Sequence, residues 1–206
     1  MAARAARKPI ESKRRSPQRA RSRDTVETIF EATARILQAE GRAGLNTNRI
    51  AETAGVSVGS VYAYFPDKQA ILLAMARREL DALRQRVADA LEKGDETDPV
   101  RRAVRALIKG YTARGDVRRI LMETLFSHGG SDEMARPVNE IAEVIARHPR
   151  LLPNEARPLS PVALYVLTRA VDSVVRTAGY ERVPFLREPA FEDEIVRLVH
   201  GYVAAP

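Results

Sequence analysis

The stretch Ile50–Lys68, IAETAGVSVGSVYAYFPDK, decides the fold, because it reads as two short helices joined by a tight turn. Helices cross steeply around a short turn only where their contact residues are small and the turn residue accepts a left-handed backbone. Ala51 and Ala54 are small, and Gly55 occupies the turn, where a residue without a Cβ takes positive φ at little cost. Val56 follows as an apolar plug, Ser57 can cap the second helix, and Val61 lies where that helix must face the core. The Ala51-x-x-x-Gly55 pair alone is weak evidence, and an ordinary helical hairpin is the alternative. Ile50, Ala51, Gly55, Val56 and Val61 in one register favour a helix-turn-helix, whose second helix is placed to read a DNA major groove.

The flanks extend this unit. Asp24 has the chemistry of an N-cap, with Glu27 three residues later, and Val26, Ile29, Phe30, Ile36 and Leu37 recur at helical spacing until Gly41. Only Thr33 interrupts that apolar face. Leu45 leads into the next helix, Thr47 is placed to cap it, and Asn48 and Arg49 fall in its exposed first turn, facing the DNA backbone. Tyr64, Phe65 and Pro66 break the pattern after the second helix. Asp67 then starts a long helix with Lys68 in its first turn.

The run GVSVGSVYAYFPDK resembles the signature of the TetR family of bacterial transcriptional regulators, in which Y-x-Y-F-x-x-K closes the DNA-binding unit. The resemblance covers about residues 24 to 70. It departs at Val58, where lysine or arginine is frequent, and at Ala63, where histidine is frequent. By resemblance, Tyr62 and Tyr64 grip the DNA backbone or a base edge, while Lys68 and the N-terminus of its helix bind phosphate. Direct readout falls to the exposed face of the second helix, with Ser57, Val58, Gly59, Ser60, Tyr62 and Ala63 as candidates. Ser60 can hydrogen-bond a base edge or phosphate, Val58 can touch a thymine methyl, and Gly59 lets the backbone approach closely. None supplies a bidentate arginine–guanine contact, so specificity is expected to lean on DNA shape and on the tyrosines.

Charge adds a second feature. The 206-residue chain carries a net charge of +7. Residues 1–23 hold nine lysines and arginines against Glu11, a net of +8, so the remainder sums to about −1. A basic arm, expected to be disordered, steepens the salt dependence of DNA binding without reading sequence; a tail that only solubilises is the alternative. No apolar segment follows the arm, so it fails as a secretory signal, although its Arg and Ser content faintly resembles an organelle transit peptide. No apolar run approaches the roughly 20 residues of a membrane span. Zero cysteines exclude a disulfide framework and thiolate metal sites and are compatible with the cytoplasm, the location the DNA-binding reading implies. The histidines His128, His148 and His200 lie far apart, so no metal site and no cofactor are expected.

Strand-like alternation is rare, and the remaining chain reads as helices. The Asp67 helix continues to about Lys93 through Ile71, Leu72, Met75, Leu80, Leu83, Val87 and Leu91. At 1.5 Å per residue it is roughly 40 Å long, a mechanical link between head and body. Asp98–Pro99 and Ser160–Pro161 each pair a cap with a first-position proline. Between them, helices run from about Asp116 to Phe126 and through Met134, Val138, Ile141 and Val144. The last two helices, about 160–179 and 189–203, are strongly apolar; the resemblance implies that they pair with a second copy, and the alternative is that they complete the monomer core. Tyr111, Met122, Phe126, Tyr165 and Thr168 are candidate effector-pocket residues, with Arg169 or Asp172 for polar specificity, although plain core packing accounts for such positions equally well.

The expected architecture is all-α, about nine helices: an arm (1–23), a helix-turn-helix head (24–69) and an effector-binding and dimerisation body (70–206). The expected function is a dimeric repressor on a palindromic operator, released by a small molecule. A constitutive or partner-controlled DNA binder is the alternative. No Ser-His-Asp set, glycine-rich phosphate loop or paired metal ligands stands out, so an enzyme is not expected.

Overall fold

The computed structural model describes residues 17–93, 98–113, 115–148, 151–152 and 159–204. The arm therefore lies largely outside the described residues. Among the described residues there are nine α-helices and no strands: α1 (Pro17–Glu40), α2 (Thr47–Ala54), α3 (Val58–Tyr62), α4 (Lys68–Glu92), α5 (Pro99–Thr112), α6 (Gly115–Ser127), α7 (Ser131–Arg147), α8 (Pro161–Glu181) and α9 (Pro189–Ala204). A short 3-10 turn, Pro184–Arg187, joins the last two.

Most ends follow the chemistry of the cap. Asp67, Asp98 and Ser160 each accept the backbone N–H three residues on, at 2.8, 3.1 and 3.1 Å. Two expected caps are corrected. Asp24 does not start α1, which is already helical from Pro17, and its carbonyl instead accepts the Thr28 hydroxyl within the helix. Glu27, the other half of the expected capping box, reaches across to Arg78 of α4 at 2.6 Å. Thr47 is the first residue of α2 and not its cap; Asn46, in extended backbone, accepts the Arg49 N–H at 2.8 Å. Both residues have capping side chains, and only the backbone conformation distinguishes them.

The apolar side chains form two cores, and α4 runs through both. Ile71, Leu72, Met75 and Leu80 pack with Ile29, Ile36 and Leu37 of α1, Ile50 of α2, Val61 of α3 and Phe65. From Leu83 onward the same helix packs with α5, α8 and α9, through Val87, Leu91, Val104, Leu107, Leu167, Val175 and Val199. Thr33, buried within the α1 face, donates its hydroxyl to the Ile29 carbonyl, so it satisfies itself locally. Helix α6 joins the first core and not the second: Val117, Ile120, Leu121 and Leu125 pack against the head. Arg42, in the turn after α1, donates to the Ile120 carbonyl at 3.2 Å and to the Thr124 hydroxyl. The division of packing therefore does not fall at residue 69, because head and α6 share one core.

Candidate nucleic-acid interface and effector cavities

In the head, α2 ends at Gly55, whose φ of 67° is left-handed, and the Val56 N–H returns to the Ala51 carbonyl at 3.0 Å. This is the turn the sequence requires. Ser57 then caps α3 by accepting the Ser60 N–H at 3.0 Å, and its hydroxyl also meets that of Ser60 at 2.8 Å. Val61 is fully buried and fixes which face of α3 points outward. That outer face presents Ser57, Gly59, Tyr62 and Ala63, with Ser60 half-buried beside them. Val58 is also half-buried and packs against the head core, which limits its reach toward a base.

Among the described residues nothing packs closely against position 59. A Cβ built there would meet only the Ser57 hydroxyl oxygen, at 3.8 Å, although glycine within a helix costs about 1 kcal/mol relative to alanine. Tyr62 is 52% exposed, and its hydroxyl hydrogen-bonds that of Thr47 at 3.1 Å, bridging α3 to α2. Tyr64 is 38% exposed, whereas Phe65 is buried with its ring 5.7 Å from that of Phe30. Asn48 is exposed beside Arg49, which pairs with Glu52 at 3.0 Å and Glu40 at 3.4 Å; those hydrogen bonds hold its guanidinium above the ordinary arginine range. The Lys68 ammonium donates to the Leu45 carbonyl at 2.9 Å, tying the first turn of α4 to the loop before α2. Lysine carries three donors, so this bond leaves capacity for a phosphate.

Thr47, Asn48, Ser57, Gly59, Ser60, Tyr62 and Lys68 therefore belong to one small unit. The matches to known families fall in two parts, one over this unit and one over the body. Residues 29–75 match the model for bacterial regulatory proteins of the tetR family, and residues 98–202 match that of the tetracyclin repressor-like C-terminal domain. The chain belongs to the TetR family. This is a family of DNA-binding regulators and not of enzymes. Solved TetR-type structures share the fold. A TetR family transcription regulator from Marinobacter aquaeolei VT8 is 20% identical, with 91% of this chain and 100% of that chain covered and a TM-score of 0.62. A TetR-family transcriptional regulator from Streptomyces coelicolor is 25% identical over 86% of this chain and 96% of that one, with a TM-score of 0.55. The multidrug binding protein EbrR, complexed with imidazole, is 15% identical over 88% and 96%, with a TM-score of 0.63. Comparison with curated protein sequences gave no match. As a TetR-family member the chain is a DNA-binding transcription regulator, and no helix among the described residues is long and apolar enough to cross a membrane.

The body of this TetR-type chain holds two adjoining spaces. One is an apolar chamber of about 110 Å³ between α4, α5, α7 and α8, walled by residues such as Leu83, Val87, Leu107, Ile141 and Leu167. The other is an open cleft of about 520 Å³ between α6, α7 and α8, lined by Tyr111, Met122, Phe126, Met134, Arg169, Arg176 and Tyr180 among others. Of the expected pocket residues, Tyr111, Met122 and Phe126 face the cleft, and Thr168 faces the chamber. Tyr165 is corrected: it lines neither space, is 60% exposed on the outer side of α8, and lies under the Arg169 guanidinium. The Tyr111 hydroxyl donates to Asp172 at 2.9 Å; burial first, then the Asp172 charge, pushes its ionisation above the ordinary tyrosine range. Arg176 and Tyr180 also line the cleft, and Arg118 lies behind the Tyr111 ring; none of the three stands out in the sequence. Arg118 is 3% exposed, and nothing in its neighbours along the chain separates it from the many surface arginines.

Proposed function

We propose that this regulator is a dimeric repressor that binds a palindromic operator in the cytoplasm and is released by a small molecule held in the body. The observation that carries the reading is the double allegiance of α6. Arg119, Met122, Glu123 and Phe126 wall the cleft, while Val117, Ile120, Leu121 and Leu125 of the same helix pack in the head core. Met122 belongs to both. A ligand that displaces α6 acts on the packing that holds the head, and an effector works only through such differential affinity for two states. EbrR, described as a multidrug binding protein, is a relative in fold that takes small molecules.

Dimerisation is supported by what α8 and α9 leave uncovered. Val162, Tyr165, Val166 and Val174 of α8 and Leu198 of α9 are all at least 42% exposed, and Phe185 stands beside them at 46%. Large apolar side chains concentrated on two neighbouring helices mark a partner surface. A two-fold dimer places two α3 helices for half-sites about 34 Å apart, or a multiple of that. In each head, Ser57, Gly59, Ser60, Tyr62 and Tyr64 face the groove, with half-buried Val58 held back against the head core, and Thr47, Asn48, Arg49 and Lys68 face phosphates.

Selection of bound sequences from a random DNA pool tests the reading. A palindrome with half-sites at helical-turn spacing, and a two-subunit mass by light scattering, are expected; asymmetric single sites would overturn the dimer. Lys68→Ala is expected to weaken binding to all sequences alike and to flatten the log–log salt slope by about one unit. Weaker binding with an unchanged slope would restrict Lys68 to holding the Leu45 loop.

A further inference from the structure

We infer that the body binds an amphipathic anion, with its acidic headgroup in the α6–α7–α8 cleft and its hydrocarbon tail in the adjoining apolar chamber. The inference rests on the reading that the body holds an effector, and it specifies that effector's chemistry. The two spaces are neighbours: Val138 and Asp172 line both. The chamber alone, at about 110 Å³, is smaller than the roughly 300–1,000 Å³ of ordinary ligand pockets, whereas the cleft at about 520 Å³ falls within that range. A ligand therefore sits chiefly in the cleft and uses the chamber as an extension.

The chamber suits hydrocarbon. Two of its polar wall groups are already engaged: the Thr168 hydroxyl donates to the Leu164 carbonyl at 2.7 Å, and Asp172 accepts from Tyr111 and pairs with Arg176. Arg84, the one basic residue of its wall, has its charge matched by Glu140 at 2.9 Å, although its Nε makes no hydrogen bond. A polar headgroup placed there would lose its hydration without replacement, which is unfavourable even for a neutral group.

The cleft has the opposite character. Three arginines, Arg119, Arg169 and Arg176, face two carboxylates, Glu123 and Asp172. Arg119 pairs with Glu123 at 2.7 Å and Arg176 with Asp172 at 3.4 Å. Arg169 is the cation in excess. Its guanidinium donates to the neutral Asn139 side chain at 2.6 Å and lies 5.2 Å from the Tyr165 ring centre. A second positive source stands behind the Tyr111 wall, where the Arg118 guanidinium sits 4.6 Å from the ring centre. Arg118 is 3% exposed, none of its three guanidinium nitrogens has a hydrogen-bond partner among the described residues, and the nearest carboxylate, Glu79, is 3.7 Å away. A buried charge so incompletely matched keeps a strong field, and that field favours an anion in the cleft. Phe126, Met134 and Val138 add apolar wall to the cleft, and Val138 also lines the chamber.

Isothermal titration of the full chain with decanoate, decan-1-ol and decylamine tests this, since the three share a tail and differ in head charge. Decanoate is expected to bind at least tenfold more tightly than decan-1-ol, and decylamine more weakly than either. Arg169→Gln, a change on a part-exposed side chain, should remove most of the decanoate advantage while leaving decan-1-ol binding in place. Val138→Phe, which fills the wall shared by the two spaces, should bring decanoate down toward the affinity of hexanoate, with the melting temperature confirming that the variant folds. Equal binding of acid and alcohol, binding of neither, or an acid preference unchanged in Arg169→Gln would overturn the inference. Decanoate binding that leaves the operator complex intact would support the anion site and remove the ligand-release reading. Release of DNA by a neutral compound, with no decanoate binding, would do the reverse.

Discussion

The head and the body of this regulator are built from the same helical material but are specified differently. In the head, three short-range devices set the geometry within about twenty residues: the left-handed Gly55, the Ser57 cap and the buried Val61. In the body, the geometry that matters arises between helices distant in sequence, where Val138 of α7 and Asp172 of α8 each line both spaces. A local rule leaves a signature in a single sequence. A long-range one leaves only apolar periodicity, which many packings satisfy.

The sharpest way to separate the two is to compare matched truncations. Leu72 is 1% exposed in the close-packed head core, and Leu72→Ala is expected to cost about 2–5 kcal/mol. Leu167 is also buried, but it borders the chamber and so has fewer contacts to lose; Leu167→Ala should fall at the low end of that range. Thermal melts of the two variants measure the difference. Equal losses would mean that the chamber wall is as tightly packed as the head.

A smaller effect probes the DNA-facing side. Gly59→Ala should raise head stability by up to about 1 kcal/mol, because a Cβ there meets nothing closer than 3.8 Å. The same change should weaken operator binding if backbone approach to DNA is what keeps glycine there. A higher melting temperature with undiminished affinity would remove Gly59 from the interface.

The smallest expected effect lies at the α5–α9 junction of the body. Glu192 is held below the ordinary glutamate range by its hydrogen bonds to Arg105 and then Arg101, against the opposing effect of burial. Its folded value lies below its unfolded value, so its contribution is fully present above about pH 4.3 and disappears as pH falls through the lower folded value. Melting temperature followed through the acid range should show this loss, and Glu192→Gln should flatten it.

The same contrast explains how far the residues could be read without coordinates. The caps at Ser57, Asp67, Asp98 and Ser160 were legible because residue type and position suffice for them. Asn46 against Thr47 was not, because adjacent capping residues differ only in backbone conformation. The early start of α1 at Pro17 had a signal, since Ser16–Pro17 repeats the pairing seen at Asp98–Pro99 and Ser160–Pro161. Tyr111, Met122 and Phe126 line the cleft, whereas Tyr165, picked from the same kind of apolar helix, is 60% exposed and lines neither space. Periodicity identifies an apolar helix and does not say which of its faces meets a neighbour when the helix is apolar most of the way round.

The shared core of head and α6 bears on how such proteins are cut and recombined. A fragment ending at residue 69 would leave behind Ile71, Leu72, Met75 and Leu80, together with Leu121 and Leu125, all part of the core that seats α2 and α3. It would expose that core to water, and so would a chimera that joined this head to a foreign body at the same point. A sensor swap at a single splice site therefore exchanges half of the reader's own foundation, unless the residues of the incoming α6 that face Arg42 and the head are rebuilt to match.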